Sequence, residues 1–247
     1  GDNSLFWEVG KIDPRTRFLQ NAFADDENTQ FINNLFDDTA AVLWMSNNNG
    51  GGYLGLHAWF SLMDDQIVIN LGWFGGAGRF FDNGQAFLQV SWQGEVSGRA
   101  MNARLMFFYD QAMPSLVGLG PDDADYGFGL SWDWLAMEQL GVFVRFVWNF
   151  EDVNPVNWDA QIGIQYAGLG NEDSALGFAF GVLVVNTDVY SAPKDYEFVF
   201  ELYYRYALEQ GKAQITPFFQ LIIDPGAGVG FVDSNLYLLG IRLHVPF

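Results

Sequence analysis

The chain contains no cysteine, which removes disulfide frameworks, iron–sulfur clusters and thiol chemistry from consideration. It also lacks any run of about 18 uninterrupted apolar residues, the length a membrane-crossing helix needs. The longest apolar stretches, such as Leu176 to Val185, are of strand length and rich in Gly, Phe and Val. Basic residues are scarce, with 11 Lys and Arg against 30 Asp and Glu and a net charge of −19. So few cations cannot neutralise a phosphate backbone, and nucleic acid is set aside as a partner. Histidine occurs only as His57 and His244, neither in a nucleophile motif with Ser or Asp, so no catalytic residue is assigned. The Asp25, Asp26, Glu27 cluster lacks calcium-loop spacing, and the Asn47 to Gly52 run lacks the Lys and following helix pattern of a phosphate cradle. No metal and no cofactor are expected. The amino-terminus carries no basic and apolar signal segment, so the chain reads as a mature form or a fragment of an exported precursor.

What is present points to strands. Half of the 247 residues are hydrophobic and 17% are aromatic, yet mean hydropathy is only +0.06. Aromatic and β-branched residues at this density suit strands, and 28 glycines with frequent Asn and Asp supply turns. The segment Asn235 to Phe247, NLYLLGIRLHVPF, places Tyr237, Leu239, Ile241, Leu243, Val245 and the terminal Phe247 on alternate positions. Successive strand residues point to opposite faces, so one face is oily while Gly240, Arg242 and His244 lie on the other. An aromatic carboxy-terminus on such a strand is the ending of a bacterial outer-membrane barrel, with Phe247 as the contact for the insertion machinery.

Period-two segments recur along the whole chain. They run from Leu5 to Ile12, Tyr53 to Leu62, Gln66 to Phe74, Ala86 to Val96, Ala100 to Asp110, Tyr126 to Ala136, Gly141 to Phe150, Trp158 to Leu169, Ala175 to Asn186, Tyr196 to Gln210, Ala213 to Ile223 and Asn235 to Phe247. The expected fold is therefore all-β: a transmembrane antiparallel up-and-down β-barrel of twelve strands forming a single domain over residues 1–247. Its long insertion after the first strand, residues 13–52, is expected to fold into the lumen. Connections are expected to alternate long and short without exception, with the short ones periplasmic. A two-residue turn at Gly211 and Lys212 would set Arg205 opposite Phe218 and Tyr203 opposite Gln220. Pro217 on an outward position is expected to mark a bulge.

The inward positions carry Glu8, Asn70, Gln89, Gln93, Asn102, Arg104, Asp133, Arg145, Asn149, Asp159, Gln161, Gln165, Glu197, Glu201, Arg205, Gln220, Arg242 and His244. Charge within a membrane span is costly unless it meets water or other charge, so a wet lumen is the economical reading. The expected pore-lining set is Arg104, Asp133, Arg145, Glu197, Glu201, Arg205, Gln220 and Arg242. Two roles stay open for its arginines: pairing with wall carboxylates, or presenting guanidinium forks to a passing polar solute. Inward Gly127, Gly129, Gly177, Ala179 and Gly181 either make room for the inserted segment or relieve barrel bending. The acidic loops either hydrate the surface or attract cations and bridge to lipid and lipopolysaccharide headgroups.

Gly10, Lys11, Ile12 and Asp13, then Phe18, then Asn21, Ala22, Phe23, Ala24, Asp25 and Asp26, then Thr29, Gln30 and Phe31, resemble a motif of the carbohydrate-selective porins of the OprB type. ELYYRYAL, ITPFFQLIIDPG over Ile215 to Gly226, and LGIRL before Phe247 extend the similarity at the other end. The resemblance implies an outer-membrane channel for facilitated diffusion of monosaccharides and related polyols, narrowed by an inserted loop bearing Arg15, Arg17, Asp25 and Asp26. It also implies a larger wall, typically of sixteen strands, whereas only one strand here precedes the Gly-Lys-Ile-Asp motif. The chain is then either a smaller barrel or lacks part of the wall. Two further functions fit the residues: a structural barrel with a plugged lumen, and a cation-preferring general pore.

Overall fold

The computed structural model describes residues 3–44, 53–75, 81, 84–111, 123–189, 192, 194–208, 212–228 and 235–245. The Asn47 to Gly52 run, Gly211 of the anticipated two-residue turn, and the terminal Phe247 lie outside the described residues. Twelve strands form one antiparallel sheet in strict sequence order. They are β1 (Ser4–Ile12), β2 (Tyr53–Leu62), β3 (Ile67–Gly75), β4 (Gly84–Val96), β5 (Arg99–Asp110), β6 (Asp125–Leu135), β7 (Leu140–Asn149), β8 (Val156–Ala167), β9 (Ala175–Val185), β10 (Tyr196–Leu208), β11 (Ala213–Ile223) and β12 (Leu236–His244). Among the described residues helix is nearly absent, with one short α1 (Asn34–Asp37) capped by the Asn33 side chain. Among the described residues no ladder joins β1 to β12, so the sheet is not closed by those two edges.

Alternation governs both faces. On β6, Asp125, Gly127, Gly129, Ser131 and Asp133 face the interior, while Tyr126, Phe128, Leu130, Trp132 and Trp134 face out. On β10 the inward set is Glu197, Val199, Glu201, Tyr203 and Arg205. Among the described strand residues, outward positions carry charge only at Lys11 and Arg99, both at strand ends. Cross-strand register gathers outward aromatic residues into two belts. Tyr109, Tyr126, Trp148, Trp158 and Tyr196 lie at one end of the wall, and Trp92, Trp132, Trp134, Tyr166 and Tyr204 at the other. Trp148 and Trp158 stack with ring centroids 6.3 Å apart. Amphipathic rings at both ends with Leu, Ile, Val and Phe between them match an apolar band flanked by aromatic girdles.

Three details differ from the sequence-based expectation. Residues 203 and 218 pair, as do 201 and 220, so the β10–β11 register is displaced by two from the expected one. A two-residue slip preserves facing, because only an odd slip turns side chains over, and the inward set survives. Pro217 introduces no register shift; it pairs with Ile241 in regular sequence, and the bridges to β10 are simply interrupted beside it. The irregularity sits instead on β8, between Val156 and Trp158. Loop lengths also fail to alternate at β8, where the connection over 168–174 is no shorter than that over 150–155.

An arginine placed on the outer face halfway along a strand tests which side meets hydrocarbon. Ile162→Arg, at an outward position that is 55% exposed and midway between the belt residues Trp158 and Tyr166, is expected to destabilise the protein folded in a bilayer by about 2–4 kcal/mol. The check is a denaturant titration in phospholipid vesicles.

Candidate functional site: the lumen and its inserted segment

Residues 13–44 leave β1 and cross the interior almost without regular structure, which obliges their backbone groups to find partners in the wall. Asp13 caps a 3-10 turn over Pro14–Thr16, accepting from the Arg15 backbone N–H. The Arg15 guanidinium holds Asp13 at 2.7 Å and Asp38 at 3.1 Å. Arg17 reaches back to Glu8 at 2.6 Å, and Glu8 meets His57 Nδ1 at 3.0 Å. From Leu19 onward the wall takes over. Gln89 accepts from Leu19 N–H at 2.6 Å and Asp133 from Ala22 N–H at 3.3 Å. Glu201 receives both Ile32 N–H and Asn33 N–H, at 2.8 and 2.9 Å. Asp159 accepts from Ala41 N–H at 2.9 Å and from the Thr39 hydroxyl.

The arginines bind the opposite polarity of the same backbone. Arg145 donates to Ala24 O at 2.7 Å, Phe36 O at 3.1 Å and Asp38 O. Arg205 donates to Thr29 O at 2.8 Å, and Arg242 to Gln30 O at 3.0 Å and to Glu27 O. Wall carboxylates thus take amides and wall guanidiniums take carbonyls.

Apolar anchors complete the seat. Phe18 stacks on Phe87 at 5.0 Å and meets Phe74 edge-on at 6.0 Å, and Phe31 meets Tyr203 at 4.9 Å. Several wall glycines lie directly beneath segment side chains. A Cβ on Gly181 would stand 2.5 Å from Leu35, one on Gly129 2.9 Å from Leu19, and one on Gly141 2.2 Å from Phe23. Room for the segment is therefore the reason for glycine at 129 and 181. At Gly127 and Gly177 the space is taken by wall rings, Phe108 and Tyr203.

The expected pore-lining residues consequently divide. Arg145 at 1% exposure, Glu201 at 0% and Gln220 at 5% are sealed under the segment and do not face open lumen. Arg205 and Arg242 hold its carbonyls. Glu197 receives the Gly226 N–H from the connection after β11. Asp133 is buried and binds Arg104 and Asn102, each at 2.6 Å. Of the eight, Arg104 lines free space. On the segment, Arg17 does so on one side and Arg15 and Asp25 on the other, whereas Asp26 folds back to cap its own turn through Asn28 and Thr29.

Among the described residues, two polar hollows lie beside the segment. One of about 430 Å³ lies between the segment and β2–β5, lined by Thr16, Arg17, Gln20, His57, Trp59, Val68, Asn70, Gln89, Ser91, Gln93 and Arg104. The second, about 400 Å³, is lined by Asp13, Arg15, Thr16, Gln20, Asp25, Glu27, Asp37 and Asp38. A larger, mostly apolar hollow, about 610 Å³, is lined by outward Leu56, Leu71, Trp73, Leu88, Phe107 and Tyr109 together with inward Glu8, His57, Phe87 and Phe108, so most of its lining belongs to the oily face. Sequence reasoning found Asn70, Gln89 and Gln93 as inward groups but missed Thr16, Gln20 and Ser91. Their only signal is adjacency to Arg15 and Arg17 or even spacing from Gln89.

The OprB carbohydrate-selective porin family matches residues 126–247. The match lies in the carboxy-terminal part of the chain. The high-pH structure of Pseudomonas putida OprB superposes with a TM-score of 0.77, covering 98% of this chain and 69% of that one at 18% identity, a likeness that shows the fold. No curated protein matches the sequence. The inserted segment and the hollow beside β2–β5 precede the part matched to the OprB family. Their assignment rests on the geometry.

Burial pushes the Asp25 carboxyl up to about 8 against the pull of Arg145, and Asp37 up to about 7 with Asp38 adding repulsion. An acid whose folded-state value is raised contributes stability in full below its unfolded value near ~4, and that contribution is lost as pH rises through the folded value. The segment should therefore loosen between pH 6 and pH 9, read as faster hydrogen exchange over residues 20–40 after correction for intrinsic rates. Independently, Glu201→Leu leaves Ile32 N–H and Asn33 N–H without acceptors. It is expected to cost about 1–3 kcal/mol for each, seen as local loss of exchange protection around α1.

Proposed function

We propose that the protein is an outer-membrane porin for passive, facilitated diffusion of small hydroxyl-rich solutes, monosaccharides foremost. The observation that carries this is the hollow beside β2–β5. Its volume falls within the range of small-molecule sites, and its lining alternates amides (Asn70, Gln89, Gln93), hydroxyls (Thr16, Ser91), guanidiniums (Arg17, Arg104) and the indole of Trp59. Amides and guanidinium forks exchange hydrogen bonds with hydroxyls in place of lost water, while an aromatic face suits the C–H surface of a sugar ring. The match of residues 126–247 to the carbohydrate-selective porin family and the aromatic belts support an outer-membrane location, with lipid and lipopolysaccharide around the wall. In hydrocarbon an open sheet edge leaves backbone groups unpaired, so β1 and β12 require partner strands once inserted.

The plugged structural barrel is the second reading, favoured by the dense bonding of residues 13–44 to the wall. Liposome swelling separates the two. Glucose should enter proteoliposomes, and Trp59→Ala should weaken sugar block of single-channel current by up to about tenfold, the worth of an aromatic contact. Absence of both current steps and swelling would favour the plug.

A further inference from the structure

The two polar hollows have opposite electrical character and share two residues. In one, five carboxylates (Asp13, Asp25, Glu27, Asp37, Asp38) face a single guanidinium, Arg15. In the other, Arg17 and Arg104 are the charged lining groups and no carboxylate joins them. Asp133, the partner of Arg104, has a side-chain exposure of 2% against 13% for the arginine, so that cation stands in front of its counter-charge, whereas Arg17 (37%) and its partner Glu8 (31%) are about equally exposed and Glu8 lies outside the lining. Thr16 and Gln20 line both hollows. They form a braced ledge: the Thr16 carbonyl accepts from Gln20 Nε2 at 2.8 Å and from Arg17 at 3.1 Å, and its hydroxyl donates to Asp13 O at 2.8 Å.

From this juxtaposition we infer that the hollows are consecutive chambers of one path over the Thr16–Gln20 ledge, acting as two charge filters of opposite sign in series. The inference rests on the porin reading and adds to it which solutes pass. An anion is repelled by the carboxylate chamber, and a cation that enters it meets Arg17 and Arg104 next. A neutral polyol meets no such barrier in either. The filters also explain why a chain of net charge −19 places two guanidiniums beside the amides.

The test measures reversal potentials under a KCl gradient and, in the same proteoliposomes, uptake of an uncharged sugar. The wild type should conduct ions poorly with little preference between K⁺ and Cl⁻. Arg17→Gln with Arg104→Gln should shift permeability toward K⁺, and, at pH 8 where Asp37 is mostly ionised, Glu27→Gln with Asp37→Asn toward Cl⁻. Each shift is expected to be about fivefold, the factor that one charge about 4 Å away supplies in water. Arg17→Lys with Arg104→Lys, which keeps the charge, should restore wild-type selectivity and separates the filter from a folding defect. If either neutralised pair leaves selectivity unchanged while the protein remains folded and conducting, the path does not traverse both chambers and the inference is overturned. Sugar uptake reports separately: absent uptake with the selectivity shifts intact would remove the sugar reading and leave the two filters standing.

Discussion

The structure depends on one constraint: a segment without regular secondary structure lies inside a β-wall, and its amides and carbonyls must be paired there. A loop that runs over a surface leaves this to water. Inside the wall the work falls to side chains, and the inward residues are of the types required. Glu201 receives two successive amides, and Arg145 spans carbonyls from Ala24 to Asp38. Leaving such groups unpaired away from water costs about 1–3 kcal/mol apiece, so the polarity of the interior is first a requirement of the insert.

The same constraint acts on volume. Phe18, Phe23, Phe31, Leu35 and Phe36 have to be accommodated by a wall that is polar elsewhere, and Gly129, Gly141 and Gly181 supply the depressions beneath them. Packing of this kind makes the segment part of the wall. It packs on β2–β4 through Phe18 and is bonded to β6, β7, β8, β10 and β12, and the polar space it leaves is on the β2–β5 side. The asymmetry is what concentrates Trp59, Asn70, Gln89 and Gln93 around one hollow.

Much of the fold was legible because a strand with lipid on one side and polar groups on the other must alternate, and all twelve strands followed from that pattern. What the pattern cannot resolve is a shift by an even number of residues, which is how β10 and β11 were misregistered without disturbing which side chains face inward. Facing was legible; what each inward residue meets was not. Period-two reading assigns Arg145 and Arg104 the same status, since both are cations on the inner face. Only the course of residues 13–44 distinguishes them, and that course is set by contacts a hundred residues distant in sequence. Thr16 and Gln20 escaped notice for the same reason, being ordinary polar residues until the chain brings them to the junction of two hollows.

A segment held this firmly has a consequence for how an aperture of this kind is controlled. Movement of the insert as a body would break the Glu201, Asp159, Asp133 and Arg145 attachments together, with each orphaned partner costing free energy at once. The ledge is instead fixed locally, by the Asp13 cap, the Arg15 bridge to Asp38 and the Arg17 bridge to Glu8. Selectivity in such an arrangement comes from which side chains line a static gap. Arg17 is the residue through which it is most directly adjusted, because its guanidinium braces the ledge, closes on the wall through Glu8, and faces the hollow beside β2–β5.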